Sequence, residues 1–262
     1  MTKCNLAIHR RLRPSATTLL GGDRRLYGYT STGVLTIQNG ATVTSGFLFD
    51  GVGNTIGDLA SGVGTVTVSG PGSAWNSSIN ALIAGNSGTG TLTIENGATV
   101  TSSSGGVIGN AISGVGTVTV TGPGSAWNTG SASMIIGNTG KGTLTIENGA
   151  TVTTNFGDIG SGTSGSGAVT VNGAGSTWTM GGMRVGTQGA GTLTIENGAS
   201  VTNSANAFIA NSSSGSGAVT VSGPGSTWNA GGIFVGLFGA GTLTIADGAT
   251  VTTPPSPWLR KP

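Results

Sequence analysis

One twelve-residue phrase constrains this chain more than anything else in it. GTLTIENGATVT occupies residues 142–153, and the same phrase begins at Gly90. GTLTIENGASVT begins at Gly191, GTLTIADGATVT at Gly241, and a looser GVLTIQNGATVT at Gly33. A second phrase stands between each pair: GTVTVSGPGSAWN from Gly64, GTVTVTGPGSAWN from Gly116, GAVTVNGAGSTWT from Gly167 and GAVTVSGPGSTWN from Gly217. With the first phrase as type A and the second as type B, the chain reads A-B-A-B-A-B-A-B-A over residues 33–253. Self-similarity at a fixed period marks a solenoid, a propeller or an array.

Successive starts are separated by 31, 26, 26, 26, 25, 24, 26 and 24 residues. Within each unit Thr alternates with Leu, Val or Ile, the period-two pattern of a half-buried strand. Asn-Gly in type A and Gly-Pro-Gly in type B then turn the chain, because these residues accept positive φ. A second strand carries Ala98-Thr99-Val100-Thr101 or Ala126-Trp127-Asn128, and a third carries Val107-Ile108 or Met134-Ile135-Ile136. Strands this short gain stability only by stacking on the coils above and below, at about 4.8 Å per rung. The expected fold is therefore all-β: a single right-handed parallel β-helix of about nine coils, three short strands per coil, forming a rod of roughly 40 Å. A β-propeller would also give an A-B period near 50, but half-units of about 25 residues leave too little chain for antiparallel hairpins. The long first interval predicts an insertion around Asp50–Ser61 that loops out of the stack. The domain division is a basic non-repeat segment at 1–32, the β-helix at 33–253 and a Pro-rich tail at 254–262.

Charge narrows the function classes. Only 7% of residues are charged, against roughly 25% in an ordinary globular chain. Six of the ten basic residues lie within the first 25 positions and two at the end, leaving Lys141 and Arg184 in the repeats. Seven of the eight acids lie there too, so the repeat body has two basic and seven acidic residues, a balance of −5. Nucleic acid, which needs clustered cations on the folded face, is not an expected partner. Cys4 alone makes no disulfide or CxxC site, and His9 alone makes no His-based triad or metal cluster. No cofactor and no metal are expected. No apolar run approaches the 18 residues or so of a membrane helix, and the basic N-terminus lacks the apolar stretch of a secretory leader.

The two-part phrase resembles the repeat in passenger regions of type V secreted (autotransporter) proteins and in some exosortase-sorted bacterial proteins. The resemblance spans residues 33–253. It implies a secreted or cell-surface, outer-membrane-associated β-helix, adhesin-like, with an unknown surface receptor or polysaccharide as partner. It implies no catalytic residues. The translocator barrel of such proteins would be encoded elsewhere or lost. The repeats stop in register at Thr253, one strand short of a coil, and four prolines follow in the last nine residues. The expectation is a passenger fragment of a longer reading frame, with a cap or partner on its end coils.

Four candidate chemistries remain. Trp75, Trp127, Trp178 and Trp228 stand where type A coils have Val43, Val100, Val152, Val201 and Val251. That register points inward, to core, rather than to an exposed aromatic ladder for sugars. Glu95, Glu147 and Glu196 recur every second coil, about 9.6 Å apart. That nears the separation in inverting glycosidases, but spaced surface acids explain them without a polysaccharide-active enzyme. Residues 137–143 lack the first glycine and the helix of a phosphate-binding loop. Finally, Thr65/Thr67, Thr91/Thr93, Thr117/Thr119, Thr143/Thr145, Thr192/Thr194 and Thr242/Thr244 are expected to form one outward array, interrupted at Ala168 and Ala218. It is similar to the Thr-x-Thr face of ice-binding β-helices, and is the candidate ligand-array face for ice or another crystalline ligand. Thr is also simply a favoured outward strand residue.

Overall fold

In a computed structural model, residues 17–18, 31–45, 54–77 and 80–254 are described. The basic segment apart from 17–18 and 31–32, the stretch 46–53 and the tail beyond Pro254 lie outside them, and with them Cys4 and His9. The chain is all-β, a parallel β-helix of eight complete coils and two strands of a ninth. The first strands of the coils form a nine-stranded parallel sheet running from Thr32–Gln38 to Ala240–Ala246. The second and third strands stack as two further ladders, joined into one sheet in the seventh and eighth coils. There Ser200–Ile209 and Thr227–Val235 each run unbroken through the corner, with a register shift between Asn203 and Asn206. Those two coils depart from the expected three short strands.

The alternation does what the sequence predicts. Leu92 and Ile94 are fully buried while Thr91 and Thr93 are half-buried. The two phrases differ because each coil is built to fit the other kind. In type A turns Asn96 and Gly97 take φ of 55° and 80°. The Asn96 side chain donates back to Ser69 Oγ at 3.1 Å, and the Gly97 amide donates forward to Ser125 Oγ at 3.0 Å. Asn148 with Gly149, and Asn197 with Gly198, repeat the pattern two and four coils on. Type A supplies the donors and type B the acceptors, so a coil of one type is clamped only between two of the other.

Volume alternates in the same rhythm. Trp127 lies in register with Val100 below and Val152 above, and Trp178 with Val152 and Val201. Trp75, Trp127, Trp178 and Trp228 are all buried to within 1%, so they belong to the core column. Trp75, Trp127 and Trp228 donate their indole N–H to Ser45, Ser102 and Asn203 of the preceding coil, at 3.1, 3.0 and 2.8 Å. Trp178 is the exception: its N–H is buried without a partner. The equivalent Thr154 turns its hydroxyl to the carbonyls of Ala132 and Phe156. Ser102→Ala would put Trp127 in the same position. The expected cost is about 1–3 kcal/mol, the penalty for orphaning a buried donor, read as a lower urea midpoint with unchanged circular dichroism.

One expectation about the chain path changes. Residues 54–61 do not loop out. Asn54–Ile56 is the third strand of the first coil, paired with Leu82–Ala84, and Ile56 is fully buried. Asn54-Thr55-Ile56-Gly57 follows the path of Leu82-Ile83-Ala84-Gly85, with Gly57 and Gly85 at φ of 70° and 71°. The extra length of that coil therefore falls in 46–53, outside the described residues. The segment before the repeats also contributes, since Thr17–Thr18 pairs in parallel with Val43 and Thr44. At the other end Phe234, Leu237, Phe238 and Ile245 are 41–68% exposed.

Candidate ligand-binding faces

The nine-stranded sheet presents two central outward columns. The first reads Val34, Thr65, Thr91, Thr117, Thr143, Ala168, Thr192, Ala218, Thr242. Val34, Ala168 and Ala218 interrupt it. The second reads Thr36, Thr67, Thr93, Thr119, Thr145, Thr170, Thr194, Thr220, Thr244, without a break. Thr36, Thr170 and Thr220 complete it, and a search for Thr-x-Thr pairs misses them because their partners are the interrupting Val34, Ala168 and Ala218. The columns are two residues apart along each strand, about 6.6 Å, and rungs are about 4.8 Å apart. This face offers hydroxyls and methyls on a lattice. It offers a ligand repeated hydrogen bonds and no proton transfer.

Glu95, Glu147 and Glu196 lie at the edge of the same sheet, in one column with Thr121 and Asn172 between them. The intervening side chains accept from the turn asparagines described above, so each carboxylate is separated from the next by a clamped neutral residue. Among the described residues no group of three His, Cys, Asp or Glu side chains could hold a metal ion, and no helix is long and apolar enough to cross a membrane.

The third face is less regular. Its outward column reads Thr55, Ile83, Val107, Ile135, Asp158, Arg184, Phe208, Phe234. The lower rungs are aliphatic; the upper ones change character. Ser161 and Thr187 donate their hydroxyls to the Asp158 carboxylate at 2.9 and 2.6 Å. The Arg184 guanidinium lies 4.9 Å from the centre of the Phe156 ring, and its Nε is buried without a hydrogen-bond partner. Phe208 and Phe234 stack with ring centres 5.1 Å apart and planes 13° from parallel. In the turns that follow this face a half-buried ladder runs Asp58–Asn86–Asn110–Asn138, each side-chain amide donating to the oxygen of the coil before at 2.7–3.0 Å.

At the corner between second and third strands the same upper coils open a shallow cleft of about 360 Å³, lined by Asn155, Phe156, Gly181, Gly182, Asn206 and Phe208 together with Ala205. Its floor has no side chains for a reason. A Cβ on Gly181 would meet the Asn155 carbonyl oxygen at 2.7 Å, and one on Gly182 would meet the Phe156 ring at 2.9 Å. A second cleft, of about 330 Å³, opens at the same corner two coils on, with Ser204, Asn229, Gly231, Thr252 and Pro254 in its lining. No sequence signal marks the first cleft, because its residues fall between the repeated phrases.

Compared with protein-family models, with curated proteins and with solved structures, the chain finds no match.

Proposed function

We propose that this chain is a non-enzymatic, secreted or surface-displayed β-helix, a passenger-type rod that acts as a stalk or adhesive module. What supports the reading is the unbroken outward Thr column, nine rungs deep on a continuous three-faced stack. Such a surface multiplies weak polar contacts along its length, and multivalent contact raises avidity without any new kind of bond. The two-part repeat phrase, with its likeness to autotransporter and exosortase-sorted passengers, supports the surface setting, with a receptor or polysaccharide as partner. Beads coated with the folded protein should adhere to insoluble polysaccharides or to cells, and beads coated with the urea-denatured chain should not. Release of reducing ends from a polysaccharide panel in proportion to protein would overturn the reading in favour of an enzyme.

A second reading draws on the same Thr column. A lattice of hydroxyls at rung spacing can match a crystalline ligand, ice included. Inhibition of ice recrystallisation that Thr119→Lys abolishes would favour it over adhesion.

A stalk should tolerate a change of length, because solenoid coils contact mainly their neighbours. Thr89 and Lys141 occupy equivalent rungs, both in register with Val115. Deleting residues 90–141 therefore joins Thr89 to Gly142 in phase and restores the B-then-A order. The shortened chain should keep a β-rich spectrum and a cooperative melt, and small-angle scattering should show a rod shorter by about 9.6 Å, two rungs. An unfolded product would count against independent stacking.

A further inference from the structure

We infer that the corner cleft of the fifth to seventh coils is a saccharide-binding subsite for a neutral, linear polysaccharide lying along the rod axis; the inference rests on the adhesive reading and gives it a site. Four observations carry it. First, the cleft is built of the chemistry that holds a sugar: two half-buried aromatic rings, Phe156 and Phe208, and two exposed side-chain amides, Asn155 and Asn206. Sugar-sized sites are typically apolar with a few placed polar groups and begin at about 300 Å³, and this one holds about 360 Å³. Second, the rings are braced. Phe156 lies beneath the Arg184 guanidinium at 4.9 Å, and Phe208 stacks on Phe234 at 5.1 Å. Braced rings lose little freedom when a ligand docks on them.

Third, the floor is cleared. The third-strand entry is Ala132-Ser133 in the fourth coil but Gly181-Gly182 in the sixth and Gly231-Gly232 in the eighth, so those two coils add no side chain of their own there, and the Phe156 ring and the Asn206 amide lie against Gly182 and Gly232. The result is two clefts on one edge, two coils or about 9.6 Å apart along the axis. A linear chain of sugars running up the rod meets both, whereas a compact ligand meets one. Fourth, charge selects a neutral ligand. The repeat body balances at −5, and Asp158 lies in register beside Arg184, the one cation on this corner among the described residues. A polyanion would be repelled by the body and gain little from an arginine that already has a carboxylate on the next rung.

The test is calorimetry of the whole chain with cellohexaose, mannohexaose and chitohexaose, and with an oligogalacturonate of equal length. Binding of at least one neutral hexasaccharide is expected. Phe156→Ala and Phe208→Ala should each weaken it roughly tenfold, the loss of one aromatic face. Gly182→Ala, which pushes a methyl against the Phe156 ring, should weaken it without removing any contact group. Unchanged melting temperatures would keep these losses separate from misfolding, and Ile112→Ala, in an exposed turn away from both the cleft and the Thr array, should leave affinity unaltered. Binding of the oligogalacturonate alone, or of no hexasaccharide, would overturn the proposal. So would affinity that survives Phe156→Ala and Gly182→Ala together or falls with Ile112→Ala. If the coated beads still adhere in those cases, the adhesive reading stands and only the cleft is lost.

Discussion

Gly142→Ala should cost about 3 kcal/mol, at the upper end for a single methyl, because the clash it makes cannot be relieved by a side chain turning away. A Cβ at Gly142 would lie 2.2 Å from the Ile108 carbonyl oxygen and 2.4 Å from the Gly137 amide nitrogen. Both obstacles are backbone, Gly137 from the fourth coil and Ile108 from the third, against a glycine that opens the fifth. Gly137 is locked in turn: it sits at φ of 71°, and its own Cβ would meet the Ser166 carbonyl carbon at 2.4 Å. At this rung, the corner between third and first strands, the nearest obstacles are thus all main chain. Gly116, Gly167 and Gly217 repeat the close approach, each with a carbonyl oxygen 2.2 Å from the missing Cβ and an isoleucine Cγ2 at 2.8–2.9 Å. Admitting a methyl means parting two coils along a ladder of hydrogen bonds. Gly130→Ala is the control, since Gly130 has φ of 62° but nothing within 4 Å of its Cβ. Only left-handed backbone strain applies there, about 1–2 kcal/mol. Equal shifts of the two urea midpoints would refute the packing account and leave backbone strain as the whole effect.

The same corner shows what could be read from the letters and what could not. Glycine at the start of every phrase is visible in the sequence, and so is the Thr-Leu-Thr-Ile alternation that puts Leu92 and Ile94 in the core. The matching of Trp127 to Val100 and Val152 follows from counting. These features are local, set by residues a few positions apart, and the stack repeats them. The parts that resisted reading depend on a neighbouring coil some 25 residues away. Asn54–Ile56 carries only Ile56 as an inward aliphatic, and nothing in the letters says that it pairs with Leu82–Ala84. The merged strand Ser200–Ile209 and its register shift at Asn203 and Asn206 lie in a corner where the phrases give no pattern. The cleft is harder still, since Phe156 becomes a wall only because Gly182, one rung up, leaves room for its ring. The outward Thr array was legible in part. Its complete column includes Thr36, Thr170 and Thr220, which appear once rungs rather than pairs are counted.

Trp178→Ala should cost about 3–5 kcal/mol, and the neighbouring rungs explain why little of that can be recovered. Trp178 is fully buried, flanked in register by Val152 and Val201. Valines are too short to close the space an indole leaves. Its ring also covers Gly157 of the preceding coil, where a Cβ would come within 2.9 Å of Cζ2. Gly157 has no side chain to swing into the void, so the cavity persists and its cost adds to the lost transfer energy. One term works the other way: the indole N–H is buried without a partner, and removing it relieves about 1–3 kcal/mol of desolvation. Trp127, whose N–H reaches Ser102 at 3.0 Å, has no such relief. Trp127→Ala should therefore be the more damaging of the two, although both rings fill equivalent rungs. In iodide quenching, with Trp258 replaced by Phe, the emission should be blue-shifted and protected, because the four core indoles are shielded. A Trp178→Ala variant as stable as wild type, or one more damaged than Trp127→Ala, would show that the unpaired donor and the empty glycine rung do not govern this column.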